Sequence, residues 1–302
     1  MMDLLSTFRE GVTELVRTSL PEPQASLLLG MVMGVKSGFP PGFYENLRIT
    51  GTLHVVVVSG FNITIIISTL ARLLIFIPLK LRLFITLTFI TAFVLLVGPE
   101  PPVVRAALMG SIALIGTVLG RQRDALRVLL LATVVLLIFE RSWATSLSFQ
   151  LSFLATLGLI VIFPTLDRVV PWRGATLRED LLTTSSAQIA VWPLIAWHFG
   201  QVSIISLIVN TLVLWSVPII TYLGLVTVTV GIAINSIAVV ILTFPRLFLD
   251  YFIWIVNLFS SMNVGYFEIS SFSWIALLFY FAALGGGLWF LSQTSHKKRA
   301  TA

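Results

Sequence analysis

A histidine and a serine five residues apart, His54 and Ser59, stand inside the long apolar run TGTLHVVVVSGFNITIII at 50–67, together with Gly60, Asn62 and Thr64. Two kinds of chemistry suit such a set. In the first, a serine nucleophile is activated by a histidine base, which must lie within about 3 Å of it. On one continuous helix the two positions are rotated by about 500° and separated by about 7.5 Å along the axis, so they point to different sides. His198 could act as the base only if its segment packs against this one, and VVSG lacks the leading glycine of a nucleophile turn. In the second, polar side chains surrounded by hydrocarbon either bond across to other helices or line something wet. Gly60, near the middle of the run, permits a close backbone approach or a helix break.

Further polar residues punctuate later apolar runs: Arg105, Gln150, Ser152 and Asn210. Other chemistries lack their residues. No Asp or Glu falls in the middle of an apolar segment, which disfavours a proton- or sodium-coupled carrier. No GxxxxGK[ST] loop is present, so the chain does not itself hydrolyse nucleotide. The 3 histidines stand at 54, 198 and 296 and form no cluster, and the chain has 0 cysteines. No metal site or cofactor is therefore expected, and no catalytic residue is assigned.

The elements that must position these residues are membrane helices. Of 302 residues 57% are hydrophobic and only 11% charged, and the mean hydropathy is +1.01. At about twenty apolar residues per crossing, the expected fold class is an all-α polytopic helical bundle with about nine spans. They fall at about 52–77, 83–98, 103–119, 126–139, 146–163, 182–199, 203–234, 236–259 and 273–292. The stretch 203–234 contains Pro218 and is long for one crossing; it is read as crossing once. Lys and Arg collect in alternate loops, at Arg72, Lys80 and Arg82, at Arg121, Arg123 and Arg127, and at Arg168, Arg173 and Arg178. The positive-inside bias places those loops and the HKKR tail in the cytoplasm, and the N-terminal region outside.

Ahead of the first span, Leu4, Leu5, Phe8, Val12, Leu15 and Val16 share one helical face opposite Arg9, Glu10, Glu14 and Arg17, the pattern of an interfacial amphipathic helix. The short apolar stretch 24–35 is expected to lie at the membrane surface beside it. Residues 1–50 thus form an extracytoplasmic region, 51–293 the transmembrane domain and 294–302 a basic cytoplasmic tail. In this topology His54, Arg105, Gln150, Ser152 and Asn210 all fall in the outer half of the membrane, which suggests a wet, partly basic vestibule.

Three segments, TGTLHVVVVSGFNITII, PPVVRAALMGSIALIGTVLGR and SLSFQLSFLATLGLIVIF, resemble the best-marked blocks of the competence domain of the ComEC family. LPEPQASLLLGMVMGVKSGFP resembles the family's lead-in, and VNTLVLWSVP its later Asn-to-Pro segment; the resemblance covers about residues 15–290. His54, Ser59, Gly60, Arg105, Gly120, Arg121, Gln150, Leu151 and Ser152 match family positions, whereas Asn62 stands where the family usually repeats a histidine. Full-length relatives carry an OB-like domain and often a metallo-β-lactamase-like domain; neither block is visible here, so nuclease activity is not carried over. The chain looks like the channel domain alone, a minimal version or a fragment.

The resemblance implies a channel of the bacterial cytoplasmic membrane that conducts single-stranded DNA inward during natural transformation. It also implies a separate DNA receptor and a cytoplasmic ATP-driven helicase or motor as partners, besides membrane lipid. A strand with one negative charge per nucleotide calls for an electropositive mouth and aromatic surfaces. His54, Ser59, Gly60, Asn62, Arg105, Gln150, Ser152 and Asn210 are the expected lining, and Arg121, Arg123 and Arg127 a basic inner exit. Phe149, Trp192, Trp197 and Trp215 could stack bases, although an interfacial aromatic belt is the preferred reading of the tryptophans. A carrier or channel for another anionic or polar solute stands as the alternative, and an intramembrane serine hydrolase as a more distant one.

Overall fold

The computed structural model describes residues 2–35, 37–56, 58, 60–120, 124–170, 175–234, 238–262, 265–269 and 273–300. Ahead of the expected spans lie helices α1 (Met2–Ser19), α2 (Gln24–Met33) and α3 (Pro41–Ile49). Helices then occupy every expected span: α4 (Leu53–Val56) with α5 (Gly60–Leu73), α6 (Leu79–Val97), α7 (Pro101–Val118), α8 (Ala125–Phe139), and α9 (Leu147–Val161) with α10 (Phe163–Val169). The second half holds α11 (Ala175–Phe199), α12 (Ser206–Val213) with α13 (Ser216–Ala233), α14 (Ala238–Ile241) with α15 (Thr243–Ser261), and α16 (Trp274–Ala300). Two short strands, β1 (Gln201–Ser203) and β2 (Tyr266–Glu268), pair antiparallel with Gln201 opposite Glu268. The protein is a helical membrane protein.

The expected spans are not uniform rods. Among the described residues four stretches are long and apolar enough to cross a bilayer: Leu79–Val97, Leu147–Val169, Ser216–Ala233 and Trp274–Leu291. The others are shorter, broken or more polar. Within 203–234 the helix breaks between α12 and α13, and only α13 has the length to cross. Pro218 is the third residue of α13, where its missing N–H takes no intrahelical bond away, and it disfavours helical backbone just before it. Pro164 and Pro245 stand at the same early position, the second residue of α10 and the third of α15.

The short helix α2 corrects the surface placement expected for 24–35. Every residue from Ala25 to Met33 is buried, and α2 packs against α1, α13 and α15 in the larger apolar core. Its sequence has no polar face to offer water, so enclosure by protein is the physically consistent outcome. Small residues make the packing close. A Cβ on Gly30 would collide with the Val56 carbonyl oxygen, and one on Gly224 would come within 2.7 Å of Leu28 and Val32.

Helix α1 is amphipathic as expected, with Val12, Leu15 and Val16 buried and Glu10, Glu14 and Arg17 exposed. Its apolar face meets α2, α13 and α14, so it is docked on the bundle. Arg9 Nη2 donates to the carbonyls of Met33, at 3.4 Å, and Val97, at 3.2 Å, which serves the C-terminal ends of α2 and α6 together.

A smaller apolar core joins α5, α6 and α7 through Val58, Ile63, Ile66, Ile90, Phe93, Val97 and Val103. Helix α9 pairs most extensively with α11. There Gly158 faces the Ser186 carbonyl, and a Cβ on it would lie 2.8 Å from Ala190. This is the small-residue contact typical of membrane helices.

Candidate functional site

The first expected span breaks after α4 and resumes at Gly60, so the polar run at its centre lies around a helix interruption. The carbonyl ends of α2 take up the loosened backbone: Val58 N donates to Gly30 O at 3.1 Å, and the Asn62 amide to Met31 O at 3.0 Å. Gly60, the first residue of α5, is what lets α5 approach α7. A Cβ there would stand 3.2 Å from Ala106 Cβ, 3.4 Å from Arg105 Nη2 and 3.7 Å from Pro102 O.

Arg105, one turn into α7, is 93% buried, with only 7% of its surface exposed. Its guanidinium is held by neutral atoms. Nε and Nη2 both donate to Ser152 Oγ on α9, at 3.0 and 2.6 Å, and Nη1 lies 3.3 Å from the Met109 sulfur. Among the described residues no carboxylate lies within ion-pair distance of it. A buried charge is ordinarily matched by an opposite one, because desolvation costs several kcal/mol that neutral donors and acceptors only partly offset. Gly60, Arg105 and Ser152, from three separated segments, therefore meet around a buried cation held by neutral atoms.

His54 stands apart from that cluster, on α4. Its ring reaches the Gly51 backbone, and its side chain is exposed. Gly51 in turn abuts Ser206 at the start of α12, where a Cβ would come within 2.6 Å of the serine Cβ. At this end of the bundle the segments preceding α4 and following α11 and α15 are tied together. Ser203 Oγ donates to Ile49 O at 2.7 Å, and Arg48 donates to Gln201 Oε1 at 3.0 Å and to the Tyr266 hydroxyl at 2.8 Å. The Tyr266 bond is the main cause that holds the Arg48 pKa above its ordinary value. Arg48, Gln201 and Tyr266, with Phe199, Gly200, Glu268 and Ile269, line an open cleft of ≈ 330 Å³.

The remaining expected lining residues are dispersed. Asn62 is buried and committed to Met31, although its Oδ1 has no partner. Gln150 turns back to the Ala144 carbonyl at 3.0 Å, so it fastens the 3-10 turn Arg141–Thr145 instead of joining Arg105. Asn210 is 1% exposed, and neither atom of its amide has a protein partner. Ser59, Arg121 and Arg123 lie outside the described residues. Arg127 is exposed and pairs locally with Asp124 at 3.0 Å, at the start of α8.

The aromatic candidates divide. Phe149 is 5% exposed, which corrects its reading as a stacking surface, since its ring faces are taken up by packing. Trp192 is half-buried. Trp197 is exposed and meets His198 edge-on, with centroids 4.6 Å apart. Trp215 braces the α12–α13 break: its Nε1 donates to the Tyr251 hydroxyl at 3.3 Å, and that hydroxyl donates to Leu212 O at 2.9 Å. Two buried polar residues of α11, Thr184 and Gln188, belong to the same class as Asn210 and were missed. Their signal is the run TTSSAQ at 183–188, just inside the expected span 182–199 and ahead of its apolar remainder.

Comparison with known proteins converges on the same segments. ComE operon protein 3 of Bacillus subtilis (strain 168) is 25% identical over 248 residues, covering 82% of this chain and 31% of that protein. An uncharacterized protein of Aquifex aeolicus (strain VF5) is 30% identical over 147 residues, covering 49% of this chain and 34% of the other. The alignments thus span about a third of the length of either relative. No solved structure matches. The family described as Competence protein matches residues 31–294, a range that takes in His54, Gly60, Arg105, Ser152 and Asn210 alike. The chain belongs to the Competence protein family.

Proposed function

We propose that this chain forms a path for single-stranded DNA across the bacterial cytoplasmic membrane during natural transformation, moving the strand inward. The observation that carries the reading is Arg105: a guanidinium buried among helices, positioned by Ser152, with no carboxylate beside it among the described residues. A phosphodiester is an anion that can use such a charge without being trapped, because each linkage carries a single charge and neighbouring linkages compete for it. The name of the Bacillus subtilis relative, which refers to the ComE operon, and the family description support the same assignment.

In this reading the exposed ring of His54 lies at the entry, and the N-terminal region lies outside the membrane. The sequence has no GxxxxGK[ST] loop, so directed movement is assigned to a cytoplasmic ATP-driven helicase or motor, and delivery to the mouth to a DNA receptor. Membrane lipid surrounds α16, whose Trp274, Ile275, Leu278, Phe279, Trp289 and Phe290 are exposed.

The test is uptake of a labelled single strand in transformable cells that carry the chain, with Arg105→Ala and His54→Ala at matched membrane expression. Loss of uptake in both variants is expected. Purified chain should also bind an oligonucleotide without sequence preference and lose it as salt rises. Binding of a small anion such as inorganic phosphate, with indifference to the oligonucleotide, would instead establish a small-anion carrier.

A further inference from the structure

The seam between α11 and α12 holds polar groups that no protein atom satisfies, and Arg105 is not among their partners. Gln188 Nε2 donates to Ser206 Oγ at 2.8 Å, which leaves Gln188 Oε1 without a partner. Asn210 stands four residues beyond Ser206 on the same face of α12, and both its Oδ1 and its Nδ2 are unpartnered. Thr184 stands four residues before Gln188 on the same face of α11, and its Oγ1 is unpartnered too. All three residues are more than nine-tenths buried: Thr184 is 7% exposed, Gln188 8% and Asn210 1%. Elsewhere a buried serine or threonine hydroxyl typically bonds a carbonyl one turn back, as Ser186 does to Leu182 and Thr211 to Leu207. The concentration of orphaned groups at one helix seam is therefore specific to it.

Leaving a buried polar group unbonded is costly, so two amides and a hydroxyl in one seam destabilise it unless something fills their valences. The groups present are neutral donors and acceptors, with no charged side chain among them. A bridging water needs about two to four polar partners, and Gln188 Oε1, Asn210 Oδ1 and Asn210 Nδ2 supply two acceptors and a donor within one turn of Ser206. The seam also touches an accessible region. Ser206 abuts Gly51, and the exposed His54 ring reaches the Gly51 backbone.

We propose that the α11–α12 seam binds ordered water at Gln188 and Asn210, and that this water is continuous with the exposed surface at His54. The bundle then has a hydrated, uncharged chamber. This inference does not depend on what the protein transports.

The chain contains 0 cysteines, so single cysteines can be introduced without background. The test uses the full chain in sealed membrane vesicles and a small, charged, membrane-impermeant methanethiosulfonate, which reacts with thiolate and therefore only where water reaches. Gln188→Cys and Asn210→Cys should be modified at least about tenfold faster than Val209→Cys and Val213→Cys, apolar neighbours on α12 that are fully buried. Equal, slow rates at all four positions would overturn the proposal. Because a cysteine at 210 also changes the packing there, thermal unfolding of Asn210→Leu provides a second reading. In a hydrated seam the substitution breaks the water bridge and lowers the midpoint; in a dry seam it removes an orphaned amide and raises it, which would equally sink the idea. Modified cysteines in a chain that takes up no DNA would uphold the chamber and discard only the transport reading.

Discussion

The Ser152 hydroxyl receives two hydrogen bonds from one guanidinium, Arg105 Nε at 3.0 Å and Nη2 at 2.6 Å, and by that contact α9 fixes the charge carried by α7. Arginine suits the position because its planar fork can present two donors to one oxygen and still keep Nη1 for another group, here Met109. A lysine has the charge without the fork.

Ser152→Ala should therefore cost about 1–3 kcal/mol of stability, because it strands two buried donors of a charged group, and should lower uptake at the same time. Ser152→Thr, which keeps the hydroxyl, should retain most of both. Arg105→Lys should keep the charge, lose the paired contact and fall between the wild-type chain and Arg105→Ala in uptake. Thermal unfolding in detergent and strand uptake in cells check the two effects separately. Equal behaviour of Ser152→Ala and the unmodified chain in both would deny the serine its positioning role.

The glycines offer a graded series. At Gly60 an added Cβ meets side-chain atoms at 3.2 and 3.4 Å, which can yield by a few tenths of an ångström; at Gly30 it meets the Val56 backbone oxygen, which cannot. Gly30→Ala should thus be the more damaging, by about 1–3 kcal/mol, and Gly60→Ala milder, with Gly60→Leu approaching it. Gly11→Ala, on the open side of α1, should be neutral or stabilising by about 0.5–1 kcal/mol, since alanine is the better helix former. The order of unfolding midpoints is the measurement.

Arg9 joins two helix ends by bonding Met33 O and Val97 O from α1. A cation there also complements the partial negative charge of both C-termini. Arg9→Ala should cost about 1 kcal/mol, and Arg9→Lys about half of that, because an ammonium keeps the charge but not the reach of the fork. The loosening should show first as faster backbone hydrogen exchange in α2, whose C-terminal carbonyl loses its donor.

Much of this arrangement was readable from residue types. Arg105 and Ser152 are polar residues early in their apolar segments, and their meeting follows from two segments that start at the same end of the bundle. Asn62 and Gln150 carry the same signature, yet they bond to Met31 O and Ala144 O. Spacing within a segment cannot say whether an amide will find a neighbouring carbonyl or a distant partner. The enclosure of α2 was hidden for a related reason. A stretch apolar on every side is equally suited to lipid and to a protein core, and only the positions of Gly30 and Gly224, which admit Val56 and the side chains of Leu28 and Val32, decide for the core. Phe149 reads as a ring available for stacking because aromatic character is visible in sequence and burial is not.

The pairing of β1 with β2 gives a prediction that needs no uptake assay to begin with. The ladder bonds Ile269 N to Gly200 O and Ile204 N to Gly265 O make residues 200 and 204 hydrogen-bonded positions, so Gln201 and Glu268 form a non-hydrogen-bonded pair. Side chains of such pairs approach most closely, with Cα atoms about 4.5 Å apart, within the range a disulfide accepts. Gln201→Cys with Glu268→Cys, in a chain that has no other cysteine, should therefore oxidise cleanly to one cross-link. The bond should stabilise the fold by about 2–4 kcal/mol, less what is lost when Arg48 gives up Gln201. Because the same strands border the cleft at Arg48, uptake by the oxidised chain reports whether they must part. Because His54 is already exposed while β1 and β2 are paired, the cross-linked chain should conduct as well as the reduced one. Uptake that stops on oxidation and returns with a reductant would instead make the strand pair a gate.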